Sequence, residues 1–254
     1  NLNILLLDSN RIQGPIPEEF GNLKSLNILY LSNNLLTSSI PPTLGRLENL
    51  THVFLDSNQI EGLIPLELAN LSNLDTLHLS QNKISGLIPP KLFQMGKMHS
   101  LYLSSNLLSG SIPLEKCPSI ATVDLSHNFL NGSIPSQIGC VNNLDLSHNF
   151  LKGEIPPILG RNYMLDRLDL SYNNLTGKLY KELATLSYIN LSYNSFDFSQ
   201  DLDLKAHIPD YCSFPRNSLI SHNPPNFTSC HPSPQTNSPT SKAMAITVIV
   251  LPII

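Results

Sequence analysis

Apolar positions recur along the chain as L-x-x-L-x-L-x-x-N, and the pattern returns every 21 to 24 residues. Taking the asparagine as marker, nine units end on Asn10, Asn34, Asn58, Asn82, Asn106, Asn128, Asn149, Asn173 and Asn194. Two are near copies of each other, LSHNFLNGSIP at 125–135 and LSHNFLKGEIP at 146–156. Within each unit the L-x-L core alternates inward leucine with an outward side chain, as in LYL at 29–31, which predicts a short strand. One such strand cannot bury its leucines alone, so the period predicts units stacked over a shared core. The asparagine is expected to turn inward and satisfy backbone groups that the bend leaves unpaired.

Past the asparagine most units continue x-L-x-G-x-I-P. Six carry both parts: Gly14, Gly62, Gly86, Gly110, Gly132 and Gly153 stand before Pro17, Pro65, Pro89, Pro113, Pro135 and Pro156. The second unit keeps Ile40-Pro41 but has Ser38 in place of glycine, and the last two units lack Ile-Pro. Over 1–194 this signature resembles the plant-specific leucine-rich repeat of receptor-like kinases, receptor-like proteins and polygalacturonase-inhibiting proteins. The resemblance implies an α/β solenoid: a right-handed leucine-rich-repeat superhelix with a parallel concave β-sheet, short convex strands and 3-10 turns, such as EEFGNL at 18–23.

The last 60 residues extend the resemblance. The leucine-rich-repeat solenoid is expected over 1–200, N-terminally truncated, with a Cys cap over 201–231. In the cap, a disulfide between Cys212 and Cys230 would close a loop at the open core edge, worth about 3 kcal/mol on the chain-entropy model. A Pro/Ser-rich juxtamembrane spacer follows at 232–242, and 243–254 is an uncharged, mostly apolar run read as the start of a transmembrane helix. This order is similar to receptor-like kinase ectodomains, and most to the MDIS-interacting receptor-like kinase group. The resemblance implies a peptide or other protein ligand, a cytoplasmic Ser/Thr kinase outside this chain, and a shorter leucine-rich-repeat co-receptor kinase. It places the chain at the extracellular, apoplastic side of the plasma membrane.

Composition narrows the function classes. Charged residues are only 13% and the net charge is −4, so no basic field points to nucleic acid. Cys117 and Cys140 stand before consecutive strands and read either as a bonded pair or as buried free thiols. Six N-x-[S/T] sequons occur, which an Asn-rich repeat also generates by accident. Asn190 falls within a predicted strand of the concave sheet, where a glycan would obstruct binding. Asn49, Asn70, Asn131, Asn174 and Asn226 are the expected glycosylation sites.

The outward position between the two strand leucines reads Leu6, Tyr30, Phe54, His78, Tyr102, Asp124, Asp145, Asp169, Asn190. With rungs about 4.8 Å apart, the three aspartates form a ladder at a spacing that retaining glycosidases use, about 5 Å. An open sheet is expected to offer no pocket to desolvate an acid, and no kinase signature or Ser-His-Asp order is present, so no catalytic residue is assigned. His127 and His148 stack in one column with no recurring third ligand, so no metal or cofactor is expected. Binding is the better use of such a surface, because outward side chains from many rungs form one face. The expected ligand-binding patch is Tyr30, His52, Phe54, Asp56, Thr76, His78, Ser80, Ser100 and Tyr102, rigid aromatics with polar neighbours. His52, His78 and His99 would make binding pH-sensitive. By resemblance, the co-receptor is expected along Asp166, Arg167, Tyr188 and Tyr193. The competing functions are a secreted polygalacturonase-inhibitor-like protein and a kinase-less receptor-like protein.

Overall fold

The computed structural model describes residues 1–115, 120–162, 164–180, 182–183 and 186–197. Within them the repeat folds as the spacing predicts. Nine three-residue strands, from Ile4–Leu6 to Tyr188–Asn190, form one parallel sheet in strict chain order. Register is fixed by burial: Leu29, Val53, Leu77, Leu101, Val123, Leu144 and Leu168 pair rung to rung and are each at most 2% exposed. A one-residue slip would put this whole column in water. Most of the x-L-x-G segments pair into a second, seven-stranded parallel sheet, and five 3-10 turns, the first at Glu18–Asn22, close the outer side. Pro157–Arg161 is a single α-helical turn rather than 3-10. The chain is thus a leucine-rich-repeat solenoid.

The asparagine column holds the rungs together. Nδ2 of Asn149 donates to the Leu125, Leu146 and Ser147 carbonyls at 3.0, 3.2 and 3.1 Å, and its Oδ1 accepts the Leu130 N–H at 3.0 Å. Leu125 and Leu130 belong to the preceding unit, so from Asn34 onward each asparagine clasps its own turn to its neighbour. The residue before every clasp, from Ser9 to Tyr193, is in the left-handed region with φ between 52 and 56°. Ser38, where the repeat glycine is missing, is held at φ 62°, and the second sheet is interrupted there: Leu35–Thr37 pairs only with Gln13–Pro15.

Cys140 is exposed and disulfide-bonded, which removes the buried-thiol reading for it. Cys117, Cys212, Cys230 and Asn226 lie outside the described residues, as do the expected cap, spacer and apolar run at 243–254. Among the described residues no helix is long and apolar enough to cross a membrane.

Candidate functional site

The outward column of the nine-stranded sheet divides into two chemistries. Tyr30, Phe54, His78 and Tyr102 occupy consecutive paired positions. Tyr30 and Phe54 stack face to face at 4.2 Å between centroids, Phe54 meets His78 edge-on at 6.0 Å, and His78 tilts onto Tyr102 at 4.9 Å. His52 stacks on Phe54 at 6.2 Å. All are half-buried, so each ring is held by its neighbours while keeping an edge in solvent.

Two carboxylates hold the histidines. His78 Nδ1 lies 3.3 Å from Asp56, whose carboxylate also accepts the Ser32 hydroxyl. His52 Nε2 lies 3.7 Å from Asp75, which accepts the Thr76 hydroxyl at 2.9 Å. Burial pulls the His78 pKa below 6.5, against the opposite pull of Asp56 and Asp124. Burial, then Asp8 and Asp56, raises the Tyr30 phenol. His99 is exposed, and its backbone N–H donates to the Asp75 carbonyl at 2.7 Å.

Ser80 departs from the expected patch. It is 5% exposed and its hydroxyl accepts a hydrogen bond from Ser104 at 2.9 Å. The position after the second strand leucine is a buried serine column, Ser32, Ser80, Ser126, Ser147, Ser171 and Ser192, and Ser80 is part of that frame. Asp56 replaces serine in the same column, which explains its structural bond to Ser32.

Beyond Tyr102 the outward column becomes Asp124, Asp145 and Asp169 in paired register. Each aspartate caps its own strand end: Oδ1 accepts the backbone N–H of Ser126, Ser147 or Ser171 at 2.9–3.0 Å. Burial is the first cause raising the Asp145 pKa, with Asp124 and Asp169 adding to it and the Ser147 hydrogen bonds opposing it. The surface here is not featureless, contrary to the expectation of an open sheet. Thr122, Asn143, Arg167 and Tyr188 rise around the aspartates to make a shallow depression of about 200 Å³. The Arg167 guanidinium sits 4.5 Å from the Tyr188 ring centroid, and the Tyr188 hydroxyl donates to Asp169 at 3.1 Å. Asn190 continues the column, donating to Asp169 at 3.0 Å and accepting from Ser192. Arg167 and Tyr188, expected at a co-receptor edge, therefore wall this depression. Asp166 binds the Ser187 hydroxyl beside them. Tyr193 stands in a different column, stacked on Tyr172 at 3.9 Å in the series His127, His148, Tyr172, Tyr193. Among the described residues no group of three or more His, Cys, Asp or Glu side chains is arranged to hold a metal ion.

The sequons separate by environment. Asn49, Asn70, Asn131 and Asn174 are exposed, and Asn49 donates to the Lys24 carbonyl at 2.9 Å. Asn190 is committed within the sheet.

Known proteins share this architecture. One leucine-rich-repeat family description matches residues 1–60 and 48–108, and a second matches 119–141, 140–162 and 164–186, together more than half of the chain. No curated protein sequence matches. Among solved structures, the chain is similar to the ectodomain of the Arabidopsis receptor kinase HAESA in complex with an IDA peptide hormone, at 34% identity and TM-score 0.74, over 77% of this chain and 34% of that one. HAESA is also solved with IDA and the co-receptor SERK1. The ectodomain of the plant membrane receptor kinase GASSHO1/SCHENGEN3 from Arabidopsis thaliana, in complex with Casparian strip integrity factor 2, matches at 34% identity and TM-score 0.70, over 76% of this chain and 24% of that one. A plant ice-binding protein matches at 28% identity and TM-score 0.62, over 76% and 72% of the two chains. The chain thus spans a quarter of the GASSHO1/SCHENGEN3 ectodomain and about a third of the HAESA ectodomain in its IDA complex. By its repeat, its clasped asparagines and these matches, the chain belongs to the leucine-rich-repeat proteins.

Proposed function

We propose that this chain is part of the extracellular ligand-recognition domain of a single-pass plant receptor-like Ser/Thr kinase. It takes a secreted peptide along the nine-stranded sheet and signals with a shorter leucine-rich-repeat co-receptor kinase. The observation that carries this reading is the outward column itself. Four rings in serial contact, Tyr30, Phe54, His78 and Tyr102, run directly into the depression walled by Arg167 and Tyr188. Rings already immobilised by their neighbours lose little conformational freedom on binding, which suits them as anchors. An extended peptide with an apolar segment and a cationic side chain would match the order of aromatics and carboxylates. Thr76, His52 and Ser100 supply polar contacts at the rim, and Asp56 orients His78 from below.

The peptide-hormone complexes of HAESA support this reading, and the one that includes SERK1 supports a co-receptor. We assign the co-receptor contact to the far end of the solenoid around Asp166 and Tyr193. The repeats would lead through a Cys212–Cys230 cap and a Pro/Ser spacer into a plasma-membrane helix begun at 243–254, with the solenoid in the apoplast.

The test is a titration of the parent ectodomain against a panel of synthetic secreted plant peptides. One peptide is expected to bind with affinity lost in Phe54→Ala. Absence of peptide binding together with inhibition of a fungal polygalacturonase would overturn the receptor reading.

A further inference from the structure

Strand Phe129–Gly132 of the second sheet turns Phe129 and Asn131 outward and buries Leu130 between them. In the next strand, Phe150–Gly153, Phe150 is outward and pairs directly with Asn131. The two phenyl rings stack at 6.0 Å between centroids and 19° between planes, and they are 50% and 59% exposed. Two adjacent phenyl groups standing in water form an apolar patch that calls for a cover. Asn131 opens the sequon Asn131-Gly132-Ser133, is exposed, and its side chain makes no hydrogen bond among the described residues. Asn49, by contrast, has its amide engaged by Lys24, and no aromatic residue precedes Asn49 or Asn70 by two positions.

We propose that Asn131 carries an N-linked glycan whose first N-acetylglucosamine lies on the Phe129–Phe150 pair and covers it. This rests on the extracellular reading, because the modification belongs to the secretory pathway. In the attachment, Asn131 Nδ2 loses a proton and bonds to C1 of an oligosaccharide carried on a polyprenyl diphosphate. The C1–O bond to the diphosphate breaks, and the diphosphate leaves with the electron pair. Because Asn131 and Phe129 are two residues apart on one face of a strand, the sugar leaves Nδ2 alongside the phenyl ring. The apolar C–H face of a β-linked pyranose can then lie flat on it. Phe150, directly across in register, widens the platform. The patch is thereby filled by a group the chain itself carries.

The test is expression of residues 1–254 behind a secretion signal in insect cells, with site occupancy read by peptide mass spectrometry on secreted and retained protein alike. Asn131 is expected to be glycosylated, and Asn131→Gln to lose one glycan's mass. After enzymatic trimming to a single sugar, the glycosylated protein is expected to melt about 2–4 °C above Asn131→Gln. That difference should disappear in Phe129→Ala/Phe150→Ala, whose occupancy at Asn131 also falls. A bare Asn131 beside occupied Asn49 or Asn70 would overturn this proposal alone. No occupancy at any sequon would remove the extracellular reading as well. An equal melting difference with and without the phenyl groups would show a glycan that does not pack on them.

Discussion

The two halves of the nine-stranded sheet share one backbone and one register yet use the same outward position in opposite ways. From Tyr30 to Tyr102 the column is aromatic, and its side chains are held by one another. From Asp124 to Asp169 it is acidic, and each side chain is held by its own rung through a serine two residues on. Stacked rings couple rungs laterally, whereas capped carboxylates repel across them. The column therefore adds to the scaffold's stability in one half and not in the other. What the two halves have in common, the buried leucines and the asparagine clasps, is what makes the column free to differ.

The most damaging way to break that symmetry is to cut a clasp. Asn149→Ala in the acidic half removes three donated bonds and one accepted bond in a buried setting and is expected to destabilise the chain by about 3 kcal/mol. Asn58→Ala in the aromatic half makes the equivalent deletion where the asparagine is only half-buried, so water replaces part of the loss and the cost is smaller. Urea unfolding of both variants measures the ratio. Equal costs would mean that burial does not set the strength of the clasp.

Next in size is Phe54→Ala, which takes the shared partner out of the ring series. About 1–2 kcal/mol of stability should go, from two stacked contacts, one edge contact and lost burial. Tyr30→Ala, at the end of the series, should cost less by the same measurement.

Acidity distinguishes the halves further. His78 has a folded pKa below 6.5, so as pH falls through 6.5 the unfolded chain binds a proton that the folded chain resists. The contribution to stability is complete above 6.5 and is lost as pH drops toward the folded value. Melting temperature should decline between about pH 7.5 and about pH 5.5, and the decline should be shallower in His78→Gln. A slope unchanged by the substitution would assign the effect elsewhere, and His148, whose pKa burial also lowers, is the next residue to replace.

Asp145 runs the other way. Its raised pKa means that the ionised form is disfavoured in the folded state, so the cost is present above the folded pKa and relieved as pH falls through it. Asp145→Asn should therefore raise stability at neutral pH by a few tenths of a kcal/mol. Asn190 already occupies the equivalent place and accepts from Ser192 in the same way, so the cap survives the exchange. A loss of stability would show that the carboxylate's stronger acceptance from Ser147 outweighs its burial.

Much of this architecture was legible in the sequence, because leucine spacing reports burial directly and the asparagine sits in one place in every unit. The left-handed residue before each asparagine was not legible. Serine, asparagine, glutamine, histidine and tyrosine all fill it, since the clasp on the next residue imposes the backbone whatever the side chain. The place of Ser80 is not legible along its own repeat, where it stands two residues from His78. Read down its column, with Ser32, Ser126 and Ser147, it declares itself part of the frame. The depression over the aspartates is not legible in the sequence for a different reason. Its walls, Thr122, Asn143, Arg167 and Tyr188, come from four units, and no single repeat carries the signal.

The clasp also bears on how such a chain can change over generations. Each asparagine joins its own turn to the one before it by backbone carbonyls and one amide, groups that every unit possesses whatever its side chains. Duplicating or deleting the stretch between two equivalent asparagines would leave every remaining clasp with a partner. The 21-, 22- and 24-residue units already coexist, so the outer excursion tolerates changes in length. A gene encoding this fold can gain or shed whole rungs by unequal recombination without first inventing a new contact.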